Sequence, residues 1–200
     1  MEVLNKIQKV LTSPDKFFEG IKKEPIGPSV KYFAVTLLVP VVIMLIVMYT
    51  VASMFTSIFG WMFAMGGAQG AIPFMGLITG VAAGFAVVAV IVIYIVAIIM
   101  SFIGAAVMHL FVYLCGGRNG YANTYKTMAY GGTPSILLGW IPFVGIIASI
   151  WGLVLEVKGL KALHGMTTGR AVLAILLPVI IIGALAGFLV AAGMMASLAA

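Results

Sequence analysis

The sequence predicts an all-α fold: a polytopic transmembrane helical bundle of five spans, preceded by an N-terminal amphipathic interfacial helical segment. Three observations predict it. Charged residues make up 8% of the chain and hydrophobic ones 64%, whereas a soluble domain carries roughly a quarter charged residues. From Tyr32 to Gly117 there is not one Asp, Glu, Lys or Arg, and after Glu24 the only acidic side chain is Glu156. The apolar runs do not alternate with polar residues, as the strands of a membrane barrel would, so their backbone groups must be satisfied within helices. Two domains follow, a cytoplasmic interfacial segment over 1–31 and a transmembrane domain over 32–200.

The N-terminal segment opens with Val3, Leu4, Ile7, Val10 and Leu11 at helical spacing, with Lys6 and Lys9 on other faces. Ser13-Pro14-Asp15 then restarts a helix: Ser13 caps it, Pro14 takes the first helical position and Asp15 suits the dipole. Phe17, Phe18 and Ile21 are expected to face the bilayer while Lys16, Lys22 and Lys23 reach headgroups, making a membrane-surface anchor. Docking on a partner is the alternative.

The first span runs over about 32–58 and contains Pro40, which a membrane helix tolerates. A cleavable signal peptide is not expected here, because the preceding segment is long and no small-x-small site follows a short apolar core. Gly60 to Pro73, rich in Gly, Met and aromatic residues, reads as an interfacial loop. Phe74 to Cys115 would be about 63 Å long as one helix, against roughly 30 Å of hydrocarbon. The second span is therefore placed at about 84–115, with Gly76 to Gly84 as an extension or a separate turn. Gly76, Gly80 and Gly84, then Ala97, Ser101 and Ala105, form small-residue faces for close helix packing.

Basic residues orient the chain. Arg118 and Lys126 in one link, and Lys158, Lys161 and Arg170 in another, belong on the cytoplasmic side together with the Lys-bearing N-terminus. An even number of crossings must then separate Lys126 from Lys158. Gly139-Trp140-Ile141-Pro142 supplies the reversal, giving spans at about 122–138 and 142–163, with Trp140 at the far interface. A fifth span over about 169–196, carrying Pro178, Gly183, Gly187 and Ala191, leaves the C-terminus extracytoplasmic.

Catalytic chemistry finds little to work with. Asp15 is the only Asp, which excludes an aspartyl dyad, and a single Cys, Cys115, excludes internal disulfides and Cys-rich metal sites. His109 and His164 have no metalloprotease spacing, and no nucleophile elbow, Walker loop or dinucleotide fingerprint occurs. No enzyme, cofactor or metal is expected, and the dispersed basic residues do not form a nucleic-acid surface. The thirteen Met residues are scattered and read as packing. What remains is a polar cluster expected at cytoplasmic helix ends: His109, Arg118, Tyr121, Tyr125, Lys126, Tyr130, Glu156, His164 and Arg170. Glu156 has no cation three or four residues away, so an ion pair must come from another helix, with Lys126 the first choice and Arg118 or Arg170 the alternatives.

Ser13-Pro14-Asp15-Lys16-Phe17-Phe18, then His109, Gly116-Gly117, Tyr121, Thr124-Tyr125, Tyr130, Pro134, Pro142, Gly145, Trp151, Gly159-Leu160, His164 and Arg170-Ala171, follow in an order and spacing that resembles the Yip domain family. The resemblance covers nearly the whole chain and matches the short prokaryotic form. It implies a five-span integral membrane protein with a membrane-organising or adaptor role, in a prokaryotic cell membrane. Eukaryotic members are linked to Ypt/Rab GTPases and early secretory membranes. This chain lacks their long cytosolic N-terminal domain and Asp-Leu-Tyr-Gly-Pro-like motif, which weighs against GTPase binding. The expected partners are membrane lipids, a second copy of the chain or another membrane protein. The competing reading is a small transporter or channel using the inner-leaflet polar cluster around Glu156.

Overall fold

The computed structural model describes residues 2–67 and 70–199, and among these every regular element is a helix. In chain order they are α1 (Glu2–Thr12), α2 (Pro14–Gly20), α3 (Ile26–Met65), α4 (Ala71–Leu114), α5 (Tyr121–Gly131), α6 (Thr133–Leu138), α7 (Val144–His164) and α8 (Thr168–Ala199). The segments Ile26–Met65, Pro73–Leu114 and Thr168–Met195 are long and apolar enough to cross a membrane. Pro40 and Pro178 lie inside continuous helices, as the sequence leads one to expect. The expected loop over Gly60 to Pro73 is much shorter than predicted. α3 stays helical through Met65 and α4 starts at Ala71, so the connection is confined to the glycine-rich residues 66–70, of which Ala68 and Gln69 lie outside the described residues. Gly76 to Gly84 is likewise part of α4 rather than a separate turn. A glycine every fourth residue costs helix propensity, but in an uncharged apolar run the alternative is unpaired backbone, and the helix persists.

The chain divides into two compact units. One holds the residues up to Phe33 together with those from Ser101 onward, and the other spans Ala34–Met100. The second unit consists of the long stretches of α3 and α4. Its surface is almost wholly apolar, with Val42, Ile46, Phe55, Trp61, Phe85 and Ile93 all more than half exposed. Within it the Tyr94 hydroxyl donates to the Ala34 carbonyl at 2.9 Å.

In the first unit α7 is the hub, packing on α2, α5, α6 and α8. Gly145, Ala148, Gly152, Leu155 and Gly159 are its buried stripe, at alternating spacings of three and four. A Cβ at Gly159 would lie 2.8 Å from Thr127 Cγ2 and 3.1 Å from the Phe18 ring. Only a glycine there lets α5 and α2 approach α7 so closely. α5 ends where Pro134 has no N–H to donate, and α6 restarts the helix as far as Leu138. The chain then turns back between Gly139 and Phe143, where the sequence reading places its reversal. Phe143 adopts φ 64°, and α6 and α7 pack side by side beyond the turn. Trp140 is half exposed there, its indole N–H donating to the Leu137 carbonyl at 2.8 Å.

The N-terminal anchor expectation is corrected. Phe17, Phe18 and Ile21 do not face outward: Phe18 is 0% exposed and the other two are 7% exposed, in one core with Val10, Tyr32, Tyr130, Leu155 and Leu163. Val3, Ile7 and Leu11 pack against the same core. The amphipathic period was real, but the apolar partner of this face is protein. Lys22 and Lys23 remain exposed. Ser13 precedes α2 and Pro14 sits at its start as expected, although the Ser13 hydroxyl makes no capping bond.

Candidate functional site

The sequence-predicted polar cluster separates into distinct groups. At the first, α4, α5 and the end of α7 meet around Thr124, which is fully buried. Its Oγ1 lies 2.8 Å from His109 Nδ1 and 3.0 Å from His164 Nε2. A hydroxyl has one proton, so it donates to one imidazole and accepts from the other. His164 is buried, 6% exposed. Its Nδ1 is buried without a hydrogen-bond partner. Stranding a bare acceptor is less costly than stranding an N–H, which puts the His164 proton on Nε2, donating to Thr124, with Thr124 donating to His109. Tyr121 stands edge-on to His109 at 6.0 Å and donates to the Phe102 carbonyl at 2.8 Å. Tyr125 stacks on Phe102 at 4.7 Å and shares a 3.0 Å hydrogen bond with Ser101.

The second group centres on Lys126, 2% exposed. Its Nζ donates to the carbonyls of Ile21, Lys22 and Glu24 at 3.0, 3.1 and 3.0 Å. All three ammonium protons are thereby satisfied, at the C-terminal end of α2 where the helix dipole favours a cation. The expected Lys126–Glu156 bridge is not formed, because the backbone turn after α2 already occupies the ammonium. One helical turn on, Tyr130 is 0% exposed. Its hydroxyl accepts from Lys6 Nζ at 3.3 Å, and Lys6 in turn pairs with Glu24 Oε1 at 2.6 Å. Tyr130 also packs its ring on Phe17 and Tyr32, at 4.9 and 4.6 Å. Tyr32 and Thr133 share a buried 2.8 Å hydrogen bond.

Arg118, Arg170 and Glu156 join neither group. The Arg118 guanidinium lies over the Tyr113 ring at 4.2 Å, and Arg170 Nη1 would lie 3.3 Å from a Cβ at Gly116. The Glu156 side chain packs against Gly131, where a Cβ would stand 2.6 Å from its Cγ. Among the described residues its carboxylate takes part in no ion pair; the pairs are Lys6 with Glu2 and Glu24, and Lys158 with Asp15. The last, at 2.6 Å between a part-exposed Lys158 and an exposed Asp15, ties α2 to α7 and contributes at most about 1 kcal/mol. Among the described residues no group of three or more His, Cys, Asp or Glu is placed to hold a metal ion.

Sequence reading missed Thr124 as the bridge, Lys6 as the partner of Tyr130 and Glu24, and Asn119, whose Nδ2 donates to the Leu163 carbonyl at 2.7 Å. For Thr124 a signal existed: it stands three residues after Tyr121 and one before Tyr125, on the α5 face they define. Nothing local marks Lys6 as the partner of a residue so distant in sequence.

These groups are clamps. Each ties α5 to another element: α4 and α7 through Thr124, the turn after α2 through Lys126, α1 and α3 through Tyr130. Of the residues that make them, His109, Thr124, Tyr130 and His164 stand in the order already noted as resembling one family. No match is found among curated proteins or among solved structures. A family model described as the Yip1 domain matches residues 9–191, nearly the whole chain, and the chain belongs to that family.

Proposed function

We propose that this chain is a non-enzymatic, multi-pass protein of a prokaryotic cell membrane that acts as a membrane-organising or adaptor component through lipid or protein contacts. One observation carries the reading: the buried Thr124 and Lys126 of α5 are engaged by His109, His164 and backbone carbonyls, while the exposed surface of the long helices is apolar. A protein arranged in this way offers a partner its apolar faces. GTPase binding is not part of the proposal, since α1 and α2 are folded onto α5 and α7.

In this reading α3, α4, α5–α6, α7 and α8 are five crossings, with the N-terminus cytoplasmic and the C-terminus outside. The support is the clustering of Lys and Arg at one end of the apolar runs and the turn at Gly139–Phe143. Single cysteines at positions 5 and 120, introduced after Cys115 is replaced by Ser, should be protected from an external impermeant maleimide, while one at the C-terminus reacts. External labelling at position 120 would overturn the five-crossing arrangement.

The second reading, a small transporter or channel, has one observation in its favour: the Glu156 carboxylate, on a helix between apolar faces, has no ion-pair partner among the described residues. Glu156→Gln separates the two. With no bridge to break, it should leave the melting temperature nearly unchanged. Under the adaptor reading, liposomes containing either form should show no proton- or cation-dependent flux above protein-free liposomes. Flux in the native protein that disappears in Glu156→Gln would replace the adaptor reading with the transport one.

A further inference from the structure

α1 lies beside the start of α3 in such a way that the two leave a cavity of about 210 Å³, lined by Glu2, Val3, Lys6, Gly27, Pro28, Lys31 and Tyr32. We propose that this cavity binds the phosphodiester headgroup of a membrane phospholipid. The charges around it are unequal in what they have left to offer. Lys6 is already engaged, by Glu24 Oε1 at 2.6 Å, by the Tyr130 hydroxyl, and more distantly by Glu2 at 3.9 Å. The second Glu24 oxygen is buried and without a partner. Lys31 is exposed and, among the described residues, enters no ion pair, so it is the cation available to a ligand.

The backbone adds to it. α3 begins at Ile26, so Gly27 lies in its first turn, where N–H groups have no partner within the helix and the dipole favours an anion. A Cβ built on Gly27 meets nothing within 4 Å, so the space above that backbone is open to a phosphate oxygen. Glu2, 75% exposed at the rim, suits the amine of an ethanolamine headgroup.

Position selects lipid over free phosphate. Lys31 is the last charged residue before the uncharged run that starts at Tyr32 and extends through α3, so it belongs at the headgroup layer of the membrane α3 enters. Val3 and Tyr32 give the cavity an apolar wall where the glycerol backbone of a lipid would lie. The proposal rests on the lipid-contact part of the function proposed above. The two fail separately: Glu156-dependent flux would overturn the adaptor reading and leave this site standing, whereas unaltered lipid retention in the variants below would remove the site alone.

The test is native mass spectrometry of protein released from nanodiscs of phosphatidylethanolamine and phosphatidylglycerol. Lys31→Gln removes the cation, and Gly27→Leu fills the cavity without changing charge. Gel filtration and circular dichroism report whether each is folded. Lys23→Gln, an exposed lysine outside the cavity, controls for general attraction to the membrane. The native chain should retain one phospholipid. Lys31→Gln and Gly27→Leu should each lower that retention about fivefold or more. Lys23→Gln and added inorganic phosphate should leave it unchanged. Equal retention in the folded Lys31→Gln and Gly27→Leu forms would overturn the proposal, as would an equal loss in Lys23→Gln. Displacement by inorganic phosphate would assign the cavity to a free anion instead.

Discussion

Phe18→Ala should destabilise the first unit by about 3–5 kcal/mol, the usual cost of emptying a large buried aromatic site. Phe18 is 0% exposed, sits edge-to-face with Phe17 at 5.6 Å and fills the space left by Gly159 on α7. Its cavity cannot close easily, because the opposing surface is helix backbone. The loss should also free α1 and α2 from α5 and α7, so trypsin should cut after Lys22 and Lys23 well before it cuts elsewhere in the folded protein. The measurement is thermal melting in detergent together with timed proteolysis. A headgroup-level anchor predicts a different result: proteolytic protection only in the presence of lipid, and a melting temperature in detergent that Phe18→Ala hardly moves. That outcome would show that the segment belongs to the bilayer surface after all.

Lys126→Met should cost about 2–5 kcal/mol, although methionine closely matches the lysine stem in volume. The substitution leaves the carbonyls of Ile21, Lys22 and Glu24 converging on a thioether that cannot donate. Each buried acceptor deprived of its donor costs roughly 1–3 kcal/mol, reduced where water can enter. The loss of a cation from the end of the α2 dipole adds to it. Lys126→Arg tests the geometry: the guanidinium keeps the charge but is planar, and three carbonyls gathered around a compact ammonium are a poor match for it. It should recover only part of the loss. Because Glu156 is not the partner, Glu156→Gln combined with Lys126→Met should be no more stable than Lys126→Met alone. A double variant that regains the native melting temperature would restore the Lys126–Glu156 bridge and remove the carbonyl cradle as the explanation.

Both predictions concern contacts invisible to a reading of the chain, and the reasons are specific. The period of Val3, Ile7 and Val10 and the pair Phe17–Phe18 identify an apolar helical face. Periodicity describes only the side of the helix that presents that face, so lipid and the α5–α7 surface are equivalent solutions until the chain is folded. The turn at Gly139–Phe143 was readable because Gly and Pro act locally on the backbone. The short link between α3 and α4 was not. Gly, Met and aromatic residues in an uncharged stretch suggest a loop by soluble-protein standards, yet without water to solvate the backbone the helices extend as far as chain geometry allows.

The polar residues divide along the same line. That His109, Lys126 and Tyr130 need partners could be expected from the chain's few polar residues, since a polar group buried in so apolar a chain must be held by something. By itself, then, the sequence determined the all-helical class, the membrane as solvent and the family. These depend on hydropathy, helical period, turn chemistry and motif spacing, all properties of neighbours along the chain. Which groups pair was decided only by the tertiary structure: Lys126 with the end of α2 rather than with Glu156, Thr124 between two histidines, and Lys6 with Glu24 and Tyr130. Such pairings depend on how closely two helices approach. Here that distance is set by glycines at 131, 152 and 159, whose missing side chains bring α2, α5 and α7 within reach of one another.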